Sequence, residues 1–399
     1  MNAILHLILL TGFTLGLMLS APAFAGTASP TEGLGPRDAL LVTDADGLVR
    51  VAHNPTRELV PASTLKVITA LAAQRYLGPD FRFQTDFYLD NAGNLLIRGY
   101  GDPLLVSEVL ADIARKMRQH LKSPVNAILL DDGYFSKPLV IPGVSTTNNP
   151  YDAPNGALCV NFNTVNFKTR RGKIVSAEPQ TPLLPMAMRH IRASGLGQGR
   201  IVLSHRSNEA VLYAGEMFKH FLQEAGVGIK GPVRLVTDAP ADLRLVYRHY
   251  SPFSLDDLIT RLMAFSNNFM ANQLLLAIGV HTHGAPGDLN KGARVLNTYV
   301  TDVLGGQASL VEGSGISRKN RISAEVMMKA LEHFQSNRHL MTQASDTYYK
   351  TGTLKGIRTR AGYIEINPER PHRFVLFLNT AGKRPEPVFR RIKAFLQRP

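Results

Sequence analysis

Apolar and polar positions alternate from residue 39 to 51, in ALLVTDADGLVRV, and the alternation breaks at Ala45-Asp46-Gly47. A period of two around an Asp-Gly turn reads as a β-hairpin. Asp-x-Asp-Gly lacks the later oxygen ligands of a calcium loop here, so it is read as a turn. From Ser63 the period lengthens. Leu65, Ile68, Leu71 and Ala72 recur at helical spacing until Gly78-Pro79 closes the segment. Between about 81 and 249 alternation returns, as in FRFQTDFYLDNAGNLLIRGYGDPLL around an Asn91-Ala92-Gly93-Asn94 turn. Short apolar runs split by Pro, Gly and Asn follow, with one clear helix near 213–226, so this stretch reads as mainly β.

Helical spacing resumes at about 250. Ser254 is placed as a cap, with Asp256 and Asp257 in the first turn where the helix dipole favours acids. Leu255, Leu258, Ile259 and Leu262 form the apolar stripe. Ser266-Asn267-Asn268, three poor helix formers, predicts a corner before a second helix that runs to Gly279. Two strand patterns, TRAGYIEI and RFVLFLNT, come next. A closing amphipathic helix carries Val388, Phe389, Ile392, Phe395 and Leu396 on one face, suited to packing on a sheet or, alternatively, to lying on a membrane.

Composition changes the picture at the amino end. Residues 1–25 hold a long apolar run ending in Ala23-Phe24-Ala25, which predicts an export signal cleaved after Ala25, although no Lys or Arg precedes the run. The remaining chain is long enough for two or three domains. Cys159 is the only cysteine, so no internal disulfide is possible and a buried apolar role is expected for it. The net charge of +14 draws the chain toward anionic surfaces, either membrane headgroups or carboxylate-rich wall polymers. The basic residues are scattered with no aromatic interleaving, and nucleic acid is not an expected partner. His281 and His283 lack further ligands, so they are read as a surface loop and no metal or cofactor is expected.

Three short elements carry candidate chemistry: Ser63-x-x-Lys66 at a helix start, Ser266-Asn267-Asn268 at a helix–helix corner, and Lys350-Thr351-Gly352-Thr353 in a strand. Residues three apart on a helix share a face, which puts Lys66 beside Ser63. Alone, that pair is also what a serine-capped helix start looks like. Brought together, the elements would suit a nucleophile site. A serine hydroxyl needs an adjacent base, and a lysine serves only if burial or a second cation such as Lys350 keeps its amine neutral. Ser266 suits proton relay to a leaving amine, and Asn268 suits holding a substrate amide and orienting Lys66. Lys350, Thr351 and Thr353 suit a substrate carboxylate, and Gly352 allows close approach of a substrate strand. The backbone N–H groups of Ser63 and Thr353 are the expected oxyanion donors.

The chain resembles the class C low-molecular-mass penicillin-binding proteins, the D-alanyl-D-alanine carboxypeptidase and endopeptidase family, through these three motifs. The resemblance extends to RGYGDPLL (98–105), YDAPNGALCVNFNTVNF (151–167), EGSGISRKNRIS (312–323, with Glu312 where the family usually has Asp) and KTGTLKGIRTRAGYI (350–364). It implies an α+β fold: an α/β/α core with an antiparallel sheet, helices on both faces and a helical lobe. The core would be built from 26–80 and 250–399 and interrupted by a mainly β domain over 81–249, with or without a small nested subdomain. It also implies a periplasmic enzyme in which Ser63 attacks the penultimate D-Ala of a peptidoglycan stem peptide, with Ser63, Lys66, Ser266, Asn268 and Lys350 catalytic. β-Lactams would be covalent inhibitors. Some members cut cross-links to a diamino acid, and Asp152 sits near the acidic residue that would recognise its side-chain amine. A β-lactamase and a non-catalytic wall-binding protein on the same fold are the alternative readings.

Overall fold

The structure is a computed structural model describing residues 29–398. The signal expected over residues 1–25 lies outside the described residues. β1 (Asp38–Thr43) and β2 (Val49–His53) form the expected hairpin. A 3-10 turn over Ala62–Leu65 leads into α1 (Lys66–Leu77), which ends at Gly78 with φ 81°. Helix α1 is buried on nearly every side, as befits a helix with little amphipathic bias at the centre of a core.

The middle of the chain builds two smaller sheets. β3 (Gln84–Leu89), β4 (Leu95–Gly99), α2 (Ser107–His120) and β5 (Ile128–Asp131) come first. β6 (Thr164–Arg170), β7 (Lys173–Ser176), α3 (Pro185–Ser194), β8 (Gln198–Val202), α4 (Ser207–Glu224), β9 (Val233–Leu235) and β10 (Arg244–Tyr250) follow. The five-stranded sheet has the order β10-β3-β4-β5-β9, and β7-β6-β8 form the other. The expectation of a mainly β segment is corrected here, because α2, α3 and α4 carry about as much chain as its strands. β4 and β5 are parallel, which requires a crossover, and α2 supplies it. Val109, Leu110, Ile113, Ala114 and Met117 are its buried stripe. Asp86 on β3 is fully buried and takes both Arg248 of β10 (2.7 Å to each oxygen) and the hydroxyls of Tyr88 and Tyr100.

The last part begins with α5 (Leu255–Phe265), α6 (Asn268–His283) and α7 (Leu289–Asp302). Ser254 and Asp257 form a reciprocal capping box at the start of α5. Helix α6 passes through Gly279, contrary to the expected stop. A Cβ there would lie 2.6 Å from the backbone nitrogen of Gly292 on α7, so the glycine serves close helix packing and not termination. His281 and His283 therefore sit in a last helical turn, exposed, rather than in a loop.

β11 (Ala308–Ser309), β12 (Arg321–Ile322), α8 (Ala324–Phe334), β13 (Thr342–Ala344), β14 (Thr347–Leu354), β15 (Ile357–Ile364), β16 (His372–Leu378) and α9 (Pro385–Leu396) complete the chain. The six-stranded sheet, β13-β14-β15-β16-β1-β2, is antiparallel throughout. Its strands alternate between two cores. Ala39, Leu41, Val375 and Phe377 face α1, α5, α6, α7 and α8. Leu40, Val42, Leu376 and Leu378 face Val388 and Ile392 of α9, so the apolar stripe of the closing helix lies on the sheet. The result is an α+β fold with an α/β/α core. No helix among the described residues is long and apolar enough to cross a membrane.

Candidate active site

Ser63 lies in the 3-10 turn ahead of α1, and its hydroxyl caps nothing. The residue before it, Ala62, is held at φ 47°, a left-handed conformation unusual for a side chain with a Cβ. Two glycines reached from distant parts of the chain hold the turn. A Cβ on Gly315 (φ 83°) would lie 1.9 Å from the Ala62 carbonyl oxygen, and one on Gly352 would lie 2.7 Å from the Ser63 nitrogen. Thr359 Oγ1 donates to the Pro61 carbonyl at 2.7 Å. The nucleophile turn is thus clamped between β14, β15 and the 312–317 loop.

Lys66 has no exposed surface. Burial drives its amine well below the ordinary lysine range, and the charge of Lys350 pushes the same way, while Glu312 opposes them. Lys66 Nζ lies 2.9 Å from Ser63 Oγ, 2.9 Å from Asn268 Oδ1 and 2.6 Å from the Ser314 carbonyl. Asn268 Oδ1 and the Ser314 carbonyl can only accept. A neutral amine has two hydrogens and one lone pair, so those two acceptors use the hydrogens and the lone pair faces the Ser63 hydroxyl. This arrangement suits proton removal from Ser63.

Ser266 is the C-cap of α5 at φ 53°, and Asn267 caps α6 by accepting from Met270 N at 3.1 Å. The corner therefore divides its labour: the middle residue holds the helix, while Ser266 and Asn268 face the site. Lys350 Nζ donates to Ser266 Oγ at 2.7 Å, and burial lowers its pKa to about 8. Thr351 and Thr353 are exposed on β14, whereas Gly352 is buried against Ser63. β13 pairs with β14 only over Thr347–Tyr349, which leaves the outer edge beyond Tyr349 outside that ladder. Beside the Ser266 corner, a cleft of about 490 Å³ is lined by Phe162, Arg200, Phe265, Asn267 and Met270 among others.

Ser63, Lys66, Ser266, Asn268 and Lys350 thus come together, and Thr351, Gly352 and Thr353 border them. Asp152 does not present a free carboxylate. It is buried, accepts from Ser145 N at 3.0 Å and from Thr147 Oγ1, and braces its own loop. The neighbouring Tyr151 carbonyl accepts from Asn268 Nδ2 at 3.4 Å, so that loop reaches the site through backbone. Sequence reasoning missed the role of Glu312. This fully buried carboxylate accepts from Ser314 N (2.7 Å), Ser314 Oγ (2.6 Å), Gly315 N (2.7 Å), Ser317 N (3.2 Å) and Asn320 Nδ2 (2.6 Å). It fixes the loop that carries both the Ser314 carbonyl and Gly315. The signal was an acid followed by Gly-Ser-Gly-Ile-Ser, a run rich in small residues whose backbone N–H groups can turn back onto it.

Residues 34–348 match the profile of the D-Ala-D-Ala carboxypeptidase 3 (S13) family. The D-alanyl-D-alanine carboxypeptidase DacB of Haemophilus influenzae is 24% identical over 395 residues, which cover 82% of each chain. A D-alanyl-D-alanine carboxypeptidase of an Actinomadura species is 24% identical over 447 aligned residues, 93% of this chain and 81% of the relative. The crystal structure of penicillin binding protein 4 from Haemophilus influenzae superposes with a TM-score of 0.72 at 20% identity, covering 92% of this chain and 97% of the other.

Proposed function

The chain belongs to the D-Ala-D-Ala carboxypeptidase 3 (S13) family, the class C low-molecular-mass penicillin-binding proteins, and from that premise we propose that it hydrolyses D-Ala-D-Ala stem peptides through an acyl-enzyme on Ser63. The observation that carries the reading is the buried Lys66 amine, 2.9 Å from both Ser63 Oγ and Asn268 Oδ1. Ser63 Oγ bonds to the carbonyl carbon of the penultimate D-Ala while its proton passes to the Lys66 lone pair. The backbone N–H groups of Ser63 and Thr353 receive the oxyanion. The C–N bond then breaks. Lys350 donates to Ser266 Oγ, which frees the Ser266 hydrogen for the departing nitrogen. Ser266 takes the proton held on Lys66 in return, so the net proton movement in this half is from Ser63 to the released amine and Lys66 is neutral again. Water then adds its hydroxyl to the acyl carbon and returns a proton to Ser63, with Lys66 again the base.

Lys350, Thr351 and Thr353 take the terminal carboxylate, and Asn268 holds the substrate amide. Residues 26–80 and 250–399 make the catalytic unit and 81–249 the insertion. Stem peptides of the periplasmic cell wall are the substrates, cross-linked ones included, and β-lactams acylate Ser63. Intact mass of the purified protein after benzylpenicillin tests the reading. A stable one-to-one adduct on Ser63, absent from Ser63→Ala, is expected. No adduct on folded protein returns the chain to wall binding without catalysis, and rapid turnover of nitrocefin makes it a β-lactamase.

A further inference from the structure

Charge is unevenly spread along the chain. From the start of β6 to the end of β8, residues 164–202, there are seven Lys and Arg and a single acid, Glu178. Glu178 is taken by Arg200. The other six cations, Lys168, Arg170, Arg171, Lys173, Arg189 and Arg192, are all exposed. Among the described residues none of the six has a hydrogen bond or ion pair to a carboxylate. Glu209 on α4 feels the charge of Arg189, but it accepts from Ser204 Oγ at 2.6 Å and pairs with Arg206.

Four of the six sit on the β6–β7 hairpin, where residues 168–173 are exposed without a break. Arg170 stands directly opposite Lys173, a like-charge pair that costs stability. The turn between them holds Arg171 at φ 51° and Gly172 at φ 73°. A two-residue turn with both φ positive favours Asn-Gly, so arginine is a strained choice at its first position. Cations that only kept the edge strand β7 from pairing would sit along β7, and just Lys173 does. The α3–β8 turn closes on the same end. Thr169 donates to the Gly197 carbonyl from its backbone N (2.9 Å) and its hydroxyl (2.8 Å). Between Gly195 and Gly197, Leu196 leaves 50% of its surface in solvent. Arg192 lies in the last turn of α3, and Arg189 shares its face one turn earlier. Six residues of extended strand separate Thr164, which lines the cleft beside the Ser266 corner, from Arg170, so this end stands about 20 Å from that cleft.

We infer that the β6–β7 hairpin tip and the Leu196 turn dock on a bilayer surface rich in anionic phospholipid. Phosphate headgroups supply the negative charge that the six cations lack within the chain, and Leu196 enters the boundary between headgroups and acyl chains. An anionic wall polymer supplies charge but no apolar layer for Leu196. None of the six cations lines the cleft beside the Ser266 corner, so the docked end leaves that cleft open. The docking does not depend on the chemistry at Ser63.

The test is flotation of the purified full chain with vesicles of phosphatidylcholine alone and of phosphatidylcholine mixed with phosphatidylglycerol, at low and at high salt. Wild type should partition onto the mixed vesicles at least about tenfold more strongly than onto neutral ones, and salt should weaken this. Arg170→Gln/Arg171→Gln/Lys173→Gln should lose about a hundredfold, each cation near such a surface being worth about fivefold. Lys168→Gln/Arg192→Gln, outside the strained turn, should lose about 25-fold on the same scale and decides the matter if the triple variant misfolds. Arg170→Lys/Arg171→Lys keeps the charge and should stay within about twofold of wild type. Arg37→Gln/Arg57→Gln/Arg294→Gln removes the same charge from exposed positions on the catalytic unit and should also stay within about twofold. Leu196→Ser should lose about fivefold through its apolar contact. In thermal melts the hairpin triple should unfold no earlier than wild type, because the Arg170–Lys173 repulsion is gone. Equal losses in the hairpin and catalytic-unit triples reduce the effect to net charge and overturn the inference. Unchanged binding in the folded hairpin variants, or in Leu196→Ser, also overturns it. Binding to isolated wall sacculi that the hairpin triple loses, with no vesicle binding by wild type, overturns it in favour of a wall polymer.

Discussion

Replacing Glu312 with glutamine keeps the shape of the side chain, removes its charge and turns one acceptor oxygen into an N–H donor. Oε1 accepts from Gly315 N, Ser317 N and Asn320 Nδ2, whereas Oε2 accepts from Ser314 N and Ser314 Oγ. The new NH2 fits better at the Oε2 position, because the Ser314 hydroxyl can rotate and accept. Even there, the Ser314 N–H loses its acceptor. An orphaned buried donor costs about 1–3 kcal/mol, and the remaining bonds lose their charge assistance. The sum is about 3–5 kcal/mol, the range seen when a buried charged network loses a member. A second readout is independent of stability. Glu312 raises the pKa of Lys66, so its neutralisation lowers it further and moves the acid limb of the acylation profile to lower pH. The maximum rate falls, because the Ser314 carbonyl that orients Lys66 is no longer fixed. Denaturant unfolding and stopped-flow penicillin acylation across pH measure both effects. A destabilisation below about 1 kcal/mol, less than the cost of one orphaned donor, or an acid limb displaced to higher pH would refute the reasoning.

Lys350→Met acts on Lys66 with the opposite sign. It removes the like charge that lowers the Lys66 pKa, so the acid limb moves to higher pH and the KM for a peptide carboxylate rises. In the wild type, carboxylate binding should weaken as pH rises through about 8, where Lys350 loses its charge, and a pH profile of kcat/KM for a D-Ala-D-Ala peptide shows it. Gly315→Ala, whose Cβ would meet the Ala62 carbonyl, should slow acylation by about a hundredfold, the scale expected from a displacement near 1 Å at a reacting group; penicillin acylation kinetics measure it. For Asp86, burial raises the pKa but the hydrogen bonds from Arg248, Tyr100 and Tyr88 outweigh it, so the folded value is depressed. Asp86→Asn should therefore cost stability at neutral pH, about 2–3 kcal/mol given the partial exposure of Arg248. The difference from wild type should narrow below the ordinary carboxylate value of about 4, as wild-type stability falls toward the depressed folded pKa; thermal melts at several pH values test this.

Local signals were legible and long-range ones were not. Spacing alone put Lys66 on the face of Ser63, and the Ser254 cap and Ser266–Asn268 corner followed from residues a few positions apart. The burial of Lys66 did not. It depends on Asn268, Ser314 and Glu312, which the fold brings in from far along the chain. Gly279 was misread because a helix-packing glycine and a helix-ending glycine look alike without the partner helix, and here the partner is Gly292. Helix α2 carries a 3.6-residue apolar stripe, but the turn residues that flank it are the same punctuation that bounds short strands. Asp152 could be assigned to a substrate amine only while its contacts with Ser145 and Thr147 were unseen.

The strand order has a consequence in time. β1, made early in synthesis, pairs along its whole length with β16, among the last segments made. The Ser63 turn is clamped by Gly315 and Gly352, and Lys350 arrives with β14. A ribosome-bound or truncated chain that stops before β14 carries Ser63 but lacks the lysine and the glycine that complete its surroundings. Closing that loop is entropically slow and comes late. On the acyl-enzyme reading, the hydroxyl gains these neighbours only once β14 is in place, so a chain that stops short of β14 is expected to form no penicillin adduct.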